Sequence, residues 1–175
     1  MKIILDEKEI DKAIARLSHE IIEKNRNIGN IALVGIKNRG DILAKRTAAE
    51  IEKINGKKVL SGALDISFYR DDYSIKGPNI VPGTTDISFD ISGKTVIIID
   101  DVLYTGRSIR AAMDELMDFG RPRAIQLAVL IDRGHKELPI SADYVGKNVP
   151  TSENENIEVK LKETDGENAV YIKYS

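Results

Sequence analysis

The chain has no cysteine and no tryptophan, and only two histidines among its 175 residues. The lack of thiols excludes disulfides, cysteine zinc sites and thiolate nucleophiles. With only His19 and His135, there is no rich histidine acid–base constellation. Long hydrophobic runs are missing too. Nothing approaches the roughly 18 apolar residues of a membrane span, and the first residues lack the apolar core of a secretory signal. The expectation is therefore a cytoplasmic protein with no membrane partner. Neither sign of charge dominates: 26 Lys and Arg against 28 Asp and Glu give a net charge of −2. That balance excludes a surface coated in basic residues, yet it leaves room for a basic patch on one face. No internal repeat, low-complexity tract or linker interrupts the chain, so residues 1–175 are expected to form one domain.

Val96 to Ser108 organises the rest, reading V-I-I-I-D-D-V-L-Y-T-G-R-S. Val96, Ile97, Ile98 and Ile99 form an uninterrupted β-branched run, the pattern of a strand buried on both faces. It ends in the acidic pair Asp100 and Asp101. Thr105, Gly106, Arg107 and Ser108 then open a stretch with apolar residues at Ile109, Ala112, Met113 and Leu116, the spacing of a packed helix. Strand, loop and helix N-terminus together form the place where open α/β sheets hold phosphorylated ligands. The Thr105 and Ser108 hydroxyls, the Gly106 backbone and unpaired amides suit a phosphate monoester. Gly106 lets the backbone come close to it. Asp100 and Asp101 have the wrong sign for phosphate but suit the vicinal hydroxyls of a ribose, with a Mg²⁺ complex nearby. The order points to a 5-phosphoribosyl group. Two other readings fit less well. A βαβ turn whose acids merely cap the helix does not explain the threonine-glycine loop. A receiver-type acidic pocket places its pair on the first strand, whereas this pair lies past mid-chain.

The flanking segments support an α/β reading. Ile3 to Leu5 is a short apolar lead-in. Asp6 and Glu9 have capping-box spacing ahead of a helix that buries Ile10, Ile14, Leu17 and Ile21. Its opposite side carries Lys8, Lys12, Arg16, His19 and Arg26, diluted by Glu23; a solvated helix face is the plain reading of that stripe. Ile31 to Ile36 is a second buried-strand candidate. It runs into Gly35-Ile36-Lys37-Asn38-Arg39-Gly40, a plausible anion loop, and a helix to about Ile54 stopped by Asn55-Gly56. Val59 to Tyr69 reads as a strand. The polar segment from Arg70 to Asn79 reads as a loop, and Ile80 to Gly93 as strands at a sheet edge. Ala124 to Ile131 is a further buried strand, followed by a short one near Asp143 to Val145. Gly146 to Pro150 reads as a turn, and Ile157 to Leu161 with Val170 to Ile172 as a terminal hairpin.

D-D-V-L-Y-T-G-R-S after a hydrophobic strand resembles the phosphoribosyl-pyrophosphate (PRPP) motif of type I phosphoribosyltransferases. G-I-K-N-R-G, Y-R-D-D, the long I-Q-L-A-V-L-I-D-R-G-H-K-E-L-P-I-S-A-D-Y-V-G-K-N and P-T-S follow in one order over most of the chain. Together they resemble the pyrimidine operon attenuator family, the PyrR proteins. D-R-G-H-K-E-L-P-I discriminates most, because a six-oxopurine phosphoribosyltransferase would not be expected to carry it.

The resemblance implies a central, mostly parallel sheet flanked by helices, with a small hood and a flexible loop. It implies RNA binding controlled by uridine nucleotide, acting on a stem-loop in the operon's leader mRNA, and uracil phosphoribosyltransferase activity giving UMP and pyrophosphate. The alternative is a uracil salvage enzyme without RNA regulation. Implied catalytic residues are Lys37, Arg39, Asp100 and Asp101. Implied PRPP and nucleotide contacts are Asn38, Arg39 and Gly40, in a loop with a non-proline cis peptide, and Asp100, Asp101, Val102, Leu103, Tyr104, Thr105, Gly106, Arg107 and Ser108. Arg70, Asp71 and Asp72 belong to the loop that closes over pyrophosphate, and Asp132 and Arg133 to the uracil pocket. Mg²⁺ arrives with PRPP, near Asp100 and Asp101 and in part only indirectly. RNA contacts map to Arg16, His19, Lys24, Lys136, Lys147 and Asn148. Ala15 and Asp11 depart from the family's more usual threonine and more basic surroundings, which bears on RNA affinity. Ligand partners are UMP or UTP, uracil and PRPP, and the family forms homodimers that can assemble into hexamers.

Overall fold

The computed structural model describes residues 1–67 and 84–175. Five strands, β2 (Ile31–Ile36), β3 (Leu60–Leu64), β4 (Thr95–Leu103), β5 (Ala124–Asp132) and β6 (Tyr144–Asn148), lie parallel in the order β3-β2-β4-β5-β6. Three more, β1 (Lys2–Leu5), β7 (Glu155–Lys160) and β8 (Ala169–Tyr174), form a small antiparallel sheet ordered β1-β8-β7. Helices α1 (Glu7–Lys24) and α2 (Gly40–Asn55) pack on one face of the main sheet, and α3 (Arg107–Leu116) on the other.

Central β4 shows why the apolar run folds this way. Ile97 and Ile99 join the core under α1 and α2, whereas Val96 and Ile98 join the core under α3. Successive side chains point to opposite faces of a strand, so a run without a polar residue is what two covering layers require. Each such side chain contributes roughly 1.5–3 kcal/mol by leaving water. α1 begins as its sequence predicts. Asp6 Oδ1 accepts from the Glu9 amide at 2.9 Å, and Glu9 Oε2 accepts from the Asp6 amide at 2.8 Å. Ile10, Ile14, Leu17 and Ile21 are all buried.

The structure differs from expectation in five places. Gly146 lies inside β6 rather than in a turn. A Cβ there would stand 2.4 Å from the Leu130 carbonyl oxygen, so this glycine serves close strand approach, not chain reversal. β3 ends at Leu64, because Asp65 turns back to accept from the Ser67 amide at 2.9 Å. Between 84 and 93, only the isolated bridge between Asp86 and Ala63 is paired as a strand would be. The terminal hairpin holds a short helix, α4 (Lys162–Asp165), between β7 and β8, and the N-terminal lead-in is a full partner of β8.

Candidate active site

Strand order reverses direction between β2 and β4: β2 leads outward to β3, and β4 leads the other way to β5 and β6. Loops leaving the carboxyl ends of two such strands diverge and open a crevice. Here the two loops are Lys37–Arg39 after β2 and Tyr104–Gly106 after β4.

The loop after β2 has the cis peptide, between Lys37 and Asn38, and Arg39 in a left-handed conformation with φ 75°. Two glycines press it against β4. A Cβ on Gly35 would stand 2.1 Å from the Gly40 carbonyl oxygen, and one on Gly40 would stand 2.4 Å from the Ile99 carbonyl oxygen. α2 therefore starts directly beside the backbone that leads into Asp100. Lys37 Nζ donates to the Thr84 carbonyl at 2.6 Å. The Arg39 guanidinium makes a two-pronged pair with Asp165 of α4: Nε to Oδ2 at 3.1 Å and Nη2 to Oδ1 at 2.8 Å.

At the end of β4, Asp100 is 6% exposed and lines a cavity of about 90 Å³ with Val102, Leu103, Tyr104, Thr105, Gly106, Ser108 and Ile109. Gly106 caps α3 at φ 93°, and the Arg110 amide is bonded back to the Gly106 carbonyl at 3.0 Å. The amides preceding Arg110 in α3 belong to the helix's first turn, whose N–H groups lack intrahelical acceptors and favour an anion. The Thr105 carbonyl accepts from the Glu137 and Leu138 amides at 2.9 and 3.3 Å. Leu138 and Ile140 lie against Gly106, so the segment after β5 roofs the Tyr104–Gly106 loop. Arg107 pairs with Glu137 at 2.9 Å.

Asp101 lies beside both Asp100 and Arg39. Burial pushes its carboxyl above the ordinary range, while a hydrogen bond with Asp100, the Val102 amide and the Arg39 charge pull it back. Asp165 moves the opposite way, held low chiefly by its hydrogen bonds from Arg39. Among the described residues no group of three or more His, Asp or Glu could hold a metal ion by itself. A carboxylate pair without a cage fits a hard divalent cation that brings most of its oxygens from a bound polyphosphate.

The acidic pair, the threonine-glycine loop and the Lys37–Gly40 loop thus meet at one edge of the sheet. Arg70, Asp71 and Asp72 lie outside the described residues. Asp132 accepts from the Gly134 amide at 3.0 Å and faces Lys136 at 3.4 Å. Arg133 is 5% exposed and binds Thr151, Asn156 and the Glu155 carbonyl, with its guanidinium 4.0 Å over the Tyr104 ring. Its side chain ties β5 to the small sheet and supports Tyr104.

The residues expected to meet RNA fall in two groups. Arg16, Lys24 and Lys147 lie along α1 and β6. Arg16 donates to the Val145 and Gly146 carbonyls, Lys24 pairs with Asp143 at 3.1 Å, and Lys147 reaches the Ile4 carbonyl at 3.3 Å. His19 is exposed on the same helix. Lys136 and Asn148 instead flank Asp132, one by ion pair and the other as its strand partner. Sequence reasoning missed Asp165, Glu137 and the buried Glu115, which accepts from the Thr85 hydroxyl at 2.6 Å. Their partners are distant in sequence, and no local pattern signals them.

A sheet of this order with these two loops defines the class: residues 1–164 match the model of the phosphoribosyl transferase domain, and the chain belongs to that family. The fold agrees with the hypoxanthine phosphoribosyltransferase of Trypanosoma cruzi, at TM-score 0.76 and 20% identity, covering 99% of this chain and 97% of that one. Within the class the chain belongs to the PyrR proteins. It is 61% identical to the bifunctional protein PyrR of Roseiflexus sp. (strain RS-1), covering 94% of this chain and 90% of the relative. It is 56% identical to that of Bacillus cereus (strain AH820), covering 97% and 96%.

Proposed function

We propose that this chain regulates transcription of a pyrimidine operon by binding a stem-loop of its leader mRNA when UMP or UTP is bound, and that the same pocket makes UMP from uracil and PRPP. The observation that carries the reading is the junction of the Asp100–Asp101 pair, the Thr105–Ser108 loop and the Lys37–Gly40 loop, inside a chain of the PyrR family.

In the reaction, uracil N1 attacks C1′ of PRPP as the bond to pyrophosphate breaks, and the N1 proton is lost to water or to the departing pyrophosphate. Thr105, Ser108 and the first amides of α3 hold the 5′-phosphate. Asp100 and Asp101 hold the ribose hydroxyls and favour positive charge developing on the sugar ring. Lys37 and Arg39 take the negative charge gathering on the leaving oxygens, with Asn38 and Gly40 shaping the loop around them. Asp100 and Asp101 would hold the Mg²⁺ that accompanies PRPP, which would supply positive charge against the pyrophosphate. Asp132 and the backbone around Arg133 border the base, and Arg133 acts there by bracing Tyr104. Arg70, Asp71 and Asp72 would close over pyrophosphate. No covalent nucleophile is needed.

Arg16, His19, Lys24, Lys136, Lys147 and Asn148 are the RNA contacts in this reading, on a face completed by a homodimer that can assemble into hexamers in the cytoplasm. One observation favours the alternative of a salvage enzyme without RNA regulation. Arg16, Lys24 and Lys147 are each engaged within the chain, and Ala15 and Asp11 lie on the same helix. Gel-shift titration with leader RNA separates the two. Tighter binding with UMP supports the attenuator, and binding indifferent to UMP leaves only the enzyme. For catalysis, Asp100→Asn with Asp101→Asn should lower UMP formation by a factor on the order of 10²–10³ or more, and full activity would remove the pocket assignment.

A further inference from the structure

Arg39 is a non-glycine residue at φ 75°, a backbone state that persists only where surroundings hold it. Its guanidinium is held from far along the chain. Asp165 lies 126 positions away, in the short helix between β7 and β8, and grips the guanidinium side-on through Nε and Nη2. Asp165 is itself anchored, since its Oδ2 accepts from the Leu161 amide at 2.8 Å and Leu161 is fully buried. A rigid path therefore runs from the core through Leu161 and Asp165 to Arg39, and Arg39 stands beside Asp101.

We propose that Asp165 is a positioning residue for the transfer reaction, holding the Arg39 guanidinium so that Nη1 faces the pyrophosphate of PRPP. The proposal rests on the reading of Lys37–Gly40 as the pyrophosphate loop. Side-on pairing consumes one edge of the guanidinium and leaves the Nη1 hydrogens for a second anion. A guanidinium oriented before the ligand arrives does not have to lose side-chain freedom when it binds. Docking of α4 does not rest on this pair alone. Arg46 of α2 already clamps the same segment, donating from Nε to Glu163 at 2.9 Å and from Nη2 to Asn168 at 2.8 Å. The fork on Arg39 is thus not the sole fastener of this segment, and it holds a loop cation whose charge acts on Asp101.

The test is a double-mutant cycle on the full chain, with Arg39→Ala, Asp165→Ala, both together, and Asp165→Asn as a variant that keeps the packing. KM for PRPP, KM for uracil, calorimetric affinity for magnesium pyrophosphate and thermal stability are measured for each. Asp165→Ala should raise KM for PRPP and weaken pyrophosphate binding about ten- to hundredfold, the usual penalty of a misplaced charged group. KM for uracil at saturating PRPP should hold, and Asp165→Glu should restore part of the loss. In the Arg39→Ala background, Asp165→Ala should add nothing. Equal losses in both backgrounds, or pyrophosphate affinity unchanged or improved in Asp165→Ala and Asp165→Asn, would overturn the proposal. If Arg39→Ala itself leaves PRPP and pyrophosphate binding intact, the loop assignment fails and takes this proposal with it.

Discussion

Asp101 is the residue where stability and function oppose each other most directly. Its carboxyl is raised by burial in the folded chain, so the folded state holds a proton at pH values where the unfolded chain has released it. Stability therefore falls as pH rises from the ordinary carboxylate value of about 4 through the raised folded value, and the penalty is complete above it. Asp101→Asn removes that penalty. The amide oxygen can still accept from the Val102 amide, which now bonds Oδ1 at 2.8 Å, and the amide nitrogen can donate to Asp100. The variant should melt at a higher temperature than wild type at neutral pH, with the gain vanishing below about pH 4, and UMP formation should be lost. A variant that melts lower at neutral pH would contradict the assignment of Asp101 as an acid buried for ligand rather than for fold. At this scale the sequence was informative where chemistry is local. The acidic pair, the threonine-glycine loop and the Asp6–Glu9 capping box were readable because each lies within a few residues. Asp165 and the buried face of Arg133 were not, since their partners are set by tertiary packing.

Among the elements, the approach of α2 to β4 sets the geometry of the crevice. Gly35 and Gly40 leave no room for a Cβ, and the atoms they would strike are backbone and cannot rotate away. Gly40→Ala should cost about 1–3 kcal/mol, the range for overpacking, and should lower catalysis beyond its effect on stability by pushing Arg39 away from Asp101. The check is chemical denaturation alongside activity measured well below the transition. Gly56→Ala, in open space at the left-handed cap of α2, should cost about 1 kcal/mol yet leave the kinetic constants of the folded enzyme alone. Element type followed closely from pattern: uninterrupted runs gave the buried strands and i, i+3, i+4 spacing gave the helices. One error came from glycine. Gly146 looked like a turn and is a strand residue, because a missing side chain signals close approach as well as reversal.

For the molecule as a whole, the proposed function asks one chain to place a nucleotide pocket at the carboxyl edge of a sheet and an RNA face along α1 and β6. The two are joined by β5, whose last residue, Asp132, pairs with Leu103 of β4 on one side and with Asn148 of β6 on the other. His19 is the residue that can test for an RNA face on α1, because Arg16 on the same helix also holds the β6 carbonyls. His19→Ala should weaken leader RNA by about 1 kcal/mol, the contribution of one hydrogen bond, with melting temperature and UMP synthesis unchanged. Arg16→Gln should weaken RNA binding and also lower stability, so only the first variant isolates recognition. If His19→Ala binds RNA as wild type does, the helix contributes to folding alone. The parallel sheet with its small hood was legible from the order of strand and helix patterns. The placement of α4 over the loop after β2 was not, since no residue spacing reports which distant segment will roof a site.

The most direct measurement is a crystal structure of the chain with UMP. The account predicts the phosphate between the Thr105 and Ser108 hydroxyls at the start of α3, the ribose hydroxyls on Asp100 and Asp101, and the base beneath the segment around Asp132. Nucleotide density anywhere else, with the Thr105–Ser108 loop lacking phosphate, would contradict it.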